Sequence, residues 1–151
     1  MTNLTKSQTE SSSTIFLDTS LPNLARIFDF MVGGTAHFEA DRQAADEMLK
    51  ILPSLRKWVR LRRAFIQEAA HMLHQEGFTQ FLYIASGMPS NDHLHMFAPG
   101  CRIVYSDINP VAVSYGRSLF SEHQDLVYIR GNGKEPKAIL QAPEVLKLIR
   151  L

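Results

Sequence analysis

The sequence predicts an α/β protein with a partial Rossmann-like parallel sheet of about three strands, preceded by an N-terminal helical segment. Three short apolar runs, at residues 81–84, 102–106 and 126–129, have the length and composition of buried strands. Helix-forming stretches separate these runs, and alternation of strands with helices is typical of a parallel sheet. Before the first run, at residues 15–77, apolar residues recur at helical spacing.

The size and composition of the chain indicate a single cytoplasmic domain. Its 151 residues fit one domain, and a net charge of +1 gives no overall field that attracts nucleic acid or a membrane. The lone cysteine, Cys101, excludes an internal disulfide and suits a reducing compartment. No apolar run reaches the roughly 20 residues of a membrane span, and the N-terminus lacks the apolar core of a signal peptide.

The chain starts with a polar, Ser/Thr-rich stretch at residues 1–14, which we expect to be a disordered tail. Thr19 or Ser20 is the predicted cap of the first helix. The pair Gly33-Gly34 ends that helix, because glycine takes the left-handed conformation without strain. Close approach of this glycine pair to a ligand is the other interpretation. The residues favour the plain helix stop and leave both open.

Two further helices are predicted at residues 39–52 and 55–76, the second capped by Ser54. The side chains that we expect to face inward are Ala44, Met48, Leu49 and Leu52 in the former and Leu55, Trp58, Val59, Phe65, Ile66, Ala69, Met72 and Leu73 in the latter. Five basic residues crowd the start of the latter: Arg56, Lys57, Arg60, Arg62 and Arg63. A solvated face explains this cluster better than a nucleic-acid partner does, because no aromatic platform for base stacking is interleaved with it.

The first predicted strand ends in small residues that are typical of a loop around a ligand. Ser86 and Gly87 follow the apolar run, and Asp107 lies 20 residues after Gly87, at the tip of the second strand. A carboxylate at this position accepts hydrogen bonds from the hydroxyls of a ligand ribose. A dinucleotide is disfavoured, because its pyrophosphate requires more glycines. A nucleoside without phosphate, such as S-adenosylmethionine (SAM), fits better, and an ordinary turn beside an exposed aspartate remains an alternative.

The residues indicate neither a metal site nor a catalytic nucleophile. Histidines recur in two pairs, at His71/His74 and His93/His95, but without the cysteine or glutamate partners that are typical of zinc sites. Ser86 lacks the glycine two residues earlier that a nucleophile elbow requires. Further helices are predicted at residues 91–97, 109–120, 135–140 and 143–149.

Three blocks of the sequence match the pattern of a known family. Residues 25–34 are similar to the pattern Ala-Arg-x-x-Asp-x-x-x-Gly-Gly and are followed by His37-Phe38 and Asp41-Arg42. The second block is Arg63-Ala64-Phe65. The third, residues 81–90, is similar to Phe-Leu-Asp-Ile-Gly-Thr-Gly-Leu-Pro-Thr and is followed by Val104-Tyr105-x-Asp107-x-x-Pro110. From about Leu21 to its end, the chain resembles the SAM-dependent methyltransferases of the domain of unknown function 574 type.

The resemblance implies a class I methyltransferase-type sheet with SAM as methyl donor. Gly33 and Gly34 would be lid residues over the SAM pocket, Asp107 the ribose ligand, and Asn132 a group beside the adenine. The complete set of implied SAM-binding residues is Gly33, Gly34, Ala85, Ser86, Gly87, Asp107, Ile108 and Asn132.

Several departures from the family pattern affect this site. Tyr83 replaces an acidic residue that helps to hold the methionine end of SAM, and Ala85 replaces the first loop glycine, so we expect weak binding. Asn132 stands where the family usually has Asp. The sequence ends before the family's fourth strand, so residues 78–151 correspond to the N-terminal half of a Rossmann-like SAM-binding domain.

Three functional hypotheses follow. The first is a SAM-dependent methyltransferase homologue that transfers the methyl group to an unidentified acceptor. The alternative is a non-catalytic SAM- or nucleoside-binding module, or a truncated subunit that needs a partner chain; a truncated product with a structural role is a third, weaker one.

In the resembling fold the first strand lies inside the sheet, so here it would present a bare apolar edge. We expect self-association, a partner chain or aggregation through that edge, unless residues 15–17 fold over it.

Overall fold

The computed structural model describes residues 18–90 and 92–150 and confirms the predicted α/β fold class. In chain order the elements are α1 (Leu24–Val32), α2 (Glu39–Ile51), α3 (Leu55–Gln75), β1 (Gln80–Ile84), β2 (Arg102–Asp107), α4 (Pro110–Leu119), β3 (Leu126–Arg130), α5 (Pro136–Leu140) and α6 (Pro143–Leu148). The predicted tail at residues 1–14 and the segment at residues 15–17 lie outside the described residues.

The strands form one parallel sheet in the order β1-β2-β3, so β1 lies at an edge of the described sheet. The register places Tyr83 opposite Tyr105 and Tyr105 opposite Tyr128. Because side chains alternate along a strand, these three tyrosines form a row across one face. That face packs against α3 and α4, whereas Val104 and Ile129 pack with α5 and α6 on the other face.

The helices before the sheet have a small core of their own, formed by Ile27, Met31, Ala45 and Val59. Beside it lies a buried ion pair, in which Arg26 Nε donates to Asp41 Oδ2 at 2.8 Å. Asp41 also accepts the backbone N–H groups of Asn23 and Phe38, each at 2.8 Å. This carboxylate therefore fixes the start of α1 against the start of α2.

The predicted cap of α1 is wrong. Asn23, rather than Thr19 or Ser20, is the N-cap, and its Oδ1 accepts the backbone N–H of Ala25 at 3.0 Å. Asparagine is as good an N-cap as serine, and it directly precedes the first helical residue. Gly33 ends the helix as predicted, with a φ of +90°.

α3 exposes more apolar surface than its helical pattern predicted. Val59 and Ala70 are buried, but Trp58 is 67% exposed and Phe65 is 73% exposed. The apolar stripe of α3 is wider than the surface that the described helices and strands cover. The positions for which the inward prediction is wrong are Trp58, Phe65, Met72, Leu73 and, after α2, Leu52.

The basic cluster on α3 is partly structural. Arg60 donates to a backbone carbonyl of α1 at 3.0 Å, and the Arg56 guanidinium lies 4.9 Å from the centroid of an aromatic ring of α1. Arg63 reaches the loop after β1. The side chains that fit the solvated-face interpretation are those of Lys57 and Arg62, which are exposed.

The segment after β1 differs from its prediction, as the start of α1 does, whereas the bounds of the other elements agree with theirs to within a residue or two. A helix was expected at residues 91–97, but the structure has only a 3-10 turn at Leu94–Met96, and Asn91 lies outside the described residues. Within residues 18–90 and 92–150, no helix has both the length and the apolar character required to span a membrane.

Candidate functional site

The ends of β1 and β2 meet at the carboxyl edge of the sheet. Gly87 N donates to Asp107 Oδ2 at 2.8 Å, and Asn109 N donates to Asp107 Oδ1 at 2.8 Å. Ser86 N donates to the carbonyl oxygen of Ser106 at 3.0 Å. The Asp107 carboxylate therefore holds the loop after β1 against the turn that begins α4.

Asp107 retains acceptor capacity for a ligand. A carboxylate offers about four lone-pair sites, and the two backbone hydrogen bonds use one on each oxygen. The residue is half-buried at the end of β2, so solvent or a ligand can reach it. The remaining sites match in number two adjacent hydroxyl donors, such as those of a ribose.

The loop after β1 has a sharply turned backbone. Ala85 has a φ of +54°, in the left-handed region that residues with a Cβ seldom adopt. Gly87 has a φ of +71°, and apart from its two chain neighbours no described residue has an atom within 4 Å of the place where its Cβ would be. The family pattern has glycine at position 85, and the φ of Ala85 gives the physical reason. The open space over Gly87 lets a ligand approach the backbone.

Tyr128 supports this loop from the sheet. Its hydroxyl donates to the carbonyl oxygen of Gly87 at 2.6 Å and accepts a hydrogen bond from Ser86 Oγ at 2.9 Å. Burial raises the pKa of Tyr128, so its hydroxyl stays protonated and able to donate. Ser86 is 4% exposed, and its hydroxyl belongs to this internal network.

A buried histidine packs on the tyrosine row. His93 is 1% exposed, and its ring centroid lies 5.6 Å from that of Tyr83 and 4.6 Å from that of Tyr105. Burial, together with the neighbouring Arg63 cation, lowers the pKa of His93 to about 3. Its imidazole is therefore neutral at neutral pH, and Nδ1 accepts the hydrogen bond that Arg63 Nη1 donates at 3.0 Å.

Two neighbouring cavities lie next to the loop after β1. The smaller, of about 40 Å³, is lined by this loop, α1 and α3, and the charged residues of its lining are Asp29, Arg62 and Arg63. Tyr83, at the end of β1, lines it too. The larger, of about 330 Å³, lies beside the glycine pair that follows α1. Asp29 lines both cavities and therefore lies between them.

Asp29 is a buried carboxylate with few internal partners. It is 4% exposed, and its Oδ2 accepts the backbone N–H of Ala36 at 2.8 Å. Its Oδ1 accepts no hydrogen bond from any residue that the structure describes. Burial raises the pKa of the Asp29 carboxyl. A Cβ on Gly34 would collide with this carboxylate, so glycine is required there for close approach.

The glycine pair, Gly33-Gly34, follows the end of α1 and lines the larger cavity together with Pro89 and Ser90 of the loop after β1. α1 begins beside the turn after β2, where Asn109 Nδ2 donates to Asn23 Oδ1 at 3.2 Å. The glycine pair follows the opposite end of α1, roughly 15 Å further along the helix axis. Its contact with SAM as a lid stays a prediction.

Ile108 and Asn132 lie at the same edge of the sheet as Asp107. Ile108 follows Asp107 directly and is 57% exposed. Asn132 follows Gly131, whose N–H donates to the carbonyl oxygen of Asp107 at 3.0 Å. The Asn132 side chain hydrogen bonds within its own turn, at 3.1 Å to each of two partners. A role for Asn132 beside an adenine stays a prediction.

Sequence reasoning missed three residues of this region: Asp29, Tyr128 and His93. A tyrosine is the last residue but one of each predicted strand, which was a signal for the row on the sheet face. For Asp29 the signal was a carboxylate between Phe28 and Phe30 in an otherwise apolar helix. No comparable signal marked His93, because its burial depends on the fold of the loop after β1.

No three His, Cys, Asp or Glu side chains in the described part of the chain are grouped so that they could hold a metal ion. His74 lies against the lone cysteine, with its Nδ1 3.2 Å from Cys101 Sγ. The absence of a metal from the protein's function stays a prediction.

Similarity to known proteins extends over most of the chain. A family model described as S-adenosyl methyltransferase matches residues 8–151. A candidate methyltransferase from Thermobifida fusca YX is 33% identical, with a TM-score of 0.79 over 88% of this chain and 52% of that chain. A domain of unknown function 574 family protein from Streptomyces avermitilis is 32% identical, with a TM-score of 0.77 over 89% of this chain and 54% of that chain. The chain thus spans about half the length of these solved relatives. No curated protein matches the sequence.

Proposed function

Because the chain belongs to the S-adenosyl methyltransferase family, we propose that it binds SAM at the carboxyl edge of its sheet and takes part in methyl transfer. SAM supplies an electrophilic methyl group: the acceptor's lone pair bonds to the methyl carbon, the C–S bond breaks, and its electron pair remains on sulfur. S-adenosylhomocysteine is released, and the acceptor's proton passes to a base or to water. A protein promotes such a displacement mainly by positioning both groups and excluding water.

The observation that carries the proposal is the contact between Gly87 N and Asp107 Oδ2 at 2.8 Å. It brings the loop after β1 and the carboxylate after β2 into one site, although 20 residues separate them. Asp107 then offers its two remaining acceptor sites to the ribose hydroxyls. The open space over Gly87 admits the ligand to the backbone of the loop.

Two neighbouring residues complete the proposed nucleoside site. Ile108 presents an exposed apolar side chain next to the ribose carboxylate, suited to packing against a face of the adenine. Asn132 brings an amide that can exchange its intraturn hydrogen bonds for bonds to the adenine edge. Ala85 sets the turn that leads to Gly87, in a conformation that glycine would adopt with less strain.

Binding and transfer are tested separately. Titration calorimetry with SAM and with S-adenosylhomocysteine should give saturable binding, whereas a dinucleotide such as NAD should not bind. Incubation with methyl-tritiated SAM and candidate acceptors then measures transfer. Binding without transfer to any acceptor would support the non-catalytic module instead. Absence of binding to both SAM and S-adenosylhomocysteine would overturn the proposal.

We also propose that the free edge of β1 pairs with another chain. Among the described strands β1 pairs with β2 alone, and it contains neither a charged residue nor a proline. Unpaired strand edges without such residues favour association. Light scattering at micromolar concentration should show a species larger than a monomer. A stable monomer whose β1 amides exchange slowly with deuterium would contradict this proposal.

A further inference from the structure

Tyr128 is a buried residue of β3 whose hydroxyl reaches the loop after β1. β2 lies between the two strands, and the Tyr128 ring stacks on Tyr105 of β2 with ring centroids 6.0 Å apart. The hydroxyl donates to the carbonyl oxygen of Gly87 at 2.6 Å and accepts the hydrogen bond of Ser86 Oγ at 2.9 Å. Tyr128 is 1% exposed, and its one hydroxyl hydrogen is engaged by Gly87. Any effect of this hydroxyl on a ligand therefore passes through the loop.

The loop that Tyr128 holds has a backbone conformation that needs support. Ala85 and Gly87 both have positive φ values, of +54° and +71°. Such conformations persist where the surrounding contacts fix them. At Gly87 these contacts come from two strands: its N–H donates to Asp107 Oδ2 at 2.8 Å, and its carbonyl oxygen accepts the hydrogen bond from Tyr128. Both backbone polar groups of Gly87 are therefore bound.

Gly87 links Tyr128 to Asp107, the residue that we propose as the ribose ligand. Peptide units are rigid planes, so the two that meet at Gly87 move relative to each other only by rotation about its φ and ψ. Glycine restricts this rotation less than any other residue does. The hydrogen bond from Tyr128 to the carbonyl group removes part of that freedom and keeps the N–H directed at Asp107 Oδ2. The carboxylate is then held with its remaining acceptor sites in a fixed direction.

A glycine within α4 makes room for the Tyr128 ring. A Cβ on Gly116 would collide with this ring. Glycine destabilises the interior of a helix relative to alanine, so α4 contains an unfavourable residue at the place where Tyr128 packs. The ring fills this space with or without its hydroxyl, since phenylalanine has the same ring. Packing therefore accounts for an aromatic residue at position 128, and the contact with the loop accounts for the hydroxyl.

We propose that Tyr128 is a positioning residue for SAM binding, which acts through Gly87 to hold the Asp107 carboxylate in the orientation that accepts the ribose hydroxyls. Ser86 assists, because its Oγ donates to the Tyr128 oxygen and leaves the phenol hydrogen for Gly87. This inference rests on the proposed SAM site, and it adds a residue two strands away from β1 that acts without contact with the ligand.

The test compares two tyrosines of the same row. Tyr128→Phe removes the hydroxyl that contacts the loop and keeps the ring. Tyr105→Phe is the matched control, because Tyr105 is also buried and its hydroxyl accepts the backbone N–H of His95, in the 3-10 turn, at 2.9 Å. Calorimetry measures the affinity of each folded variant for S-adenosylhomocysteine, and urea unfolding measures its stability. Deuterium exchange of the Gly87 amide, followed by NMR without ligand, reports on the loop itself.

Both variants should lose stability, because each gives up a buried hydrogen bond. Tyr128→Phe alone should weaken S-adenosylhomocysteine binding, by about fivefold, and accelerate exchange of the Gly87 amide. Wild-type affinity or an unchanged exchange rate in Tyr128→Phe would overturn this inference, as would equal losses of affinity in the two variants.

A double-mutant cycle with Asp107→Asn tests the route of the effect. If Tyr128 acts through Gly87 on the carboxylate, Tyr128→Phe should weaken binding less in the Asp107→Asn protein than in the wild type. Additive losses would overturn this inference and leave the proposed function standing. If the wild-type protein does not bind S-adenosylhomocysteine, the proposed function fails, and this inference fails with it.

Discussion

Two buried carboxylates lie near opposite ends of α1 and differ in the number of their hydrogen-bond partners. At the start of the helix Asp41 receives Arg26 Nε and two backbone N–H groups, each at 2.8 Å. Towards its end Asp29 receives one backbone N–H group and lines two cavities. Both aspartates are at most 4% exposed, so burial does not distinguish them.

The two carboxylates differ in the number of their protein partners. The contacts of Asp41 are with protein groups, so they stabilise the folded state whether or not a ligand is present. Asp29 bears a desolvation cost that the described protein groups offset only in part, and a ligand cation would lower it. Substitution of Asp41 should therefore lower stability more than substitution of Asp29 does.

Asp41→Ala should have the largest effect on stability. It leaves the Arg26 cation buried without its partner, and removal of one member of a buried pair typically costs about 3–5 kcal/mol. Urea unfolding followed by circular dichroism measures this loss. Glu39→Ala is the matched control, because its exposed pair with Arg42 should contribute little. If the two variants unfold at the same urea concentration, Asp41 is not the structural carboxylate described here.

Acidification should lower the stability of the folded protein, because His93 is buried in its neutral form. The folded-state pKa of His93 is about 3, below its ordinary value of 6.5, so the unfolded chain binds a proton first as the pH falls. Stability should therefore decrease below pH 6.5, by about 1.4 kcal/mol per pH unit from this residue. The groups around His93 are Arg63, Asp92 and His95, and burial lowers the pKa of His95 as well.

The measurement for His93 is the free energy of unfolding between pH 7 and pH 5 in wild type and in His93→Asn. Asparagine keeps an acceptor for the hydrogen bond from Arg63 but has no proton to gain. The variant should be less stable at neutral pH, because it fills less of the aromatic row, and its stability should vary less with pH. Parallel pH profiles would show that His93 is not the source of the acid sensitivity.

Ala85→Gly tests the strain in the loop at the open end of the site. A left-handed φ of +54° costs a residue with a Cβ about 1–2 kcal/mol of strain. Glycine avoids this strain, but its greater conformational freedom in the unfolded chain offsets part of the gain in stability. The variant should gain about 1 kcal/mol in unfolding free energy and bind SAM more tightly. Ala64→Gly, at an exposed position within α3, should instead lose about 1 kcal/mol. A loss at both positions would exclude strain at Ala85.

The sequence was sufficient to predict the strands and the positions of Gly87 and Asp107 at the ends of the first two. Apolar runs and parallel alternation determine which strand ends share an edge, so the spacing of 20 residues was informative. The helical spacing of α3 predicted that Trp58 and Phe65 face inward, but the structure exposes both. Periodicity identifies the apolar face of a helix but not how much of that face other elements cover. Several polar residues precede α1, and the sequence does not show where its first turn begins. The helix begins at Leu24, so Asn23 is its N-cap.

The charged lining of the smaller cavity could not be predicted, because it depends on distances between helices. Asp29 and Asp41 both belong to motifs that match the family, and nothing in the letters separates the paired carboxylate from the unpaired one. Arg63 likewise stood in a basic cluster, and only the packing of α3 against the loop after β1 turned it toward His93. Spacing along the chain does not give these contacts.

The affinity of the Asp107→Ala variant for S-adenosylhomocysteine tests the proposed site most directly. Asp125→Ala is the matched control, since Asp125 is exposed just before β3 and away from the carboxyl edge. Loss of charged hydrogen bonds to the ribose should weaken binding at least about tenfold for Asp107→Ala, with Asp125→Ala unchanged. Circular dichroism and the Asp107→Asn variant, which keeps one acceptor oxygen, control for folding. Wild-type affinity in a folded Asp107→Ala protein would contradict a SAM site at this edge of the sheet.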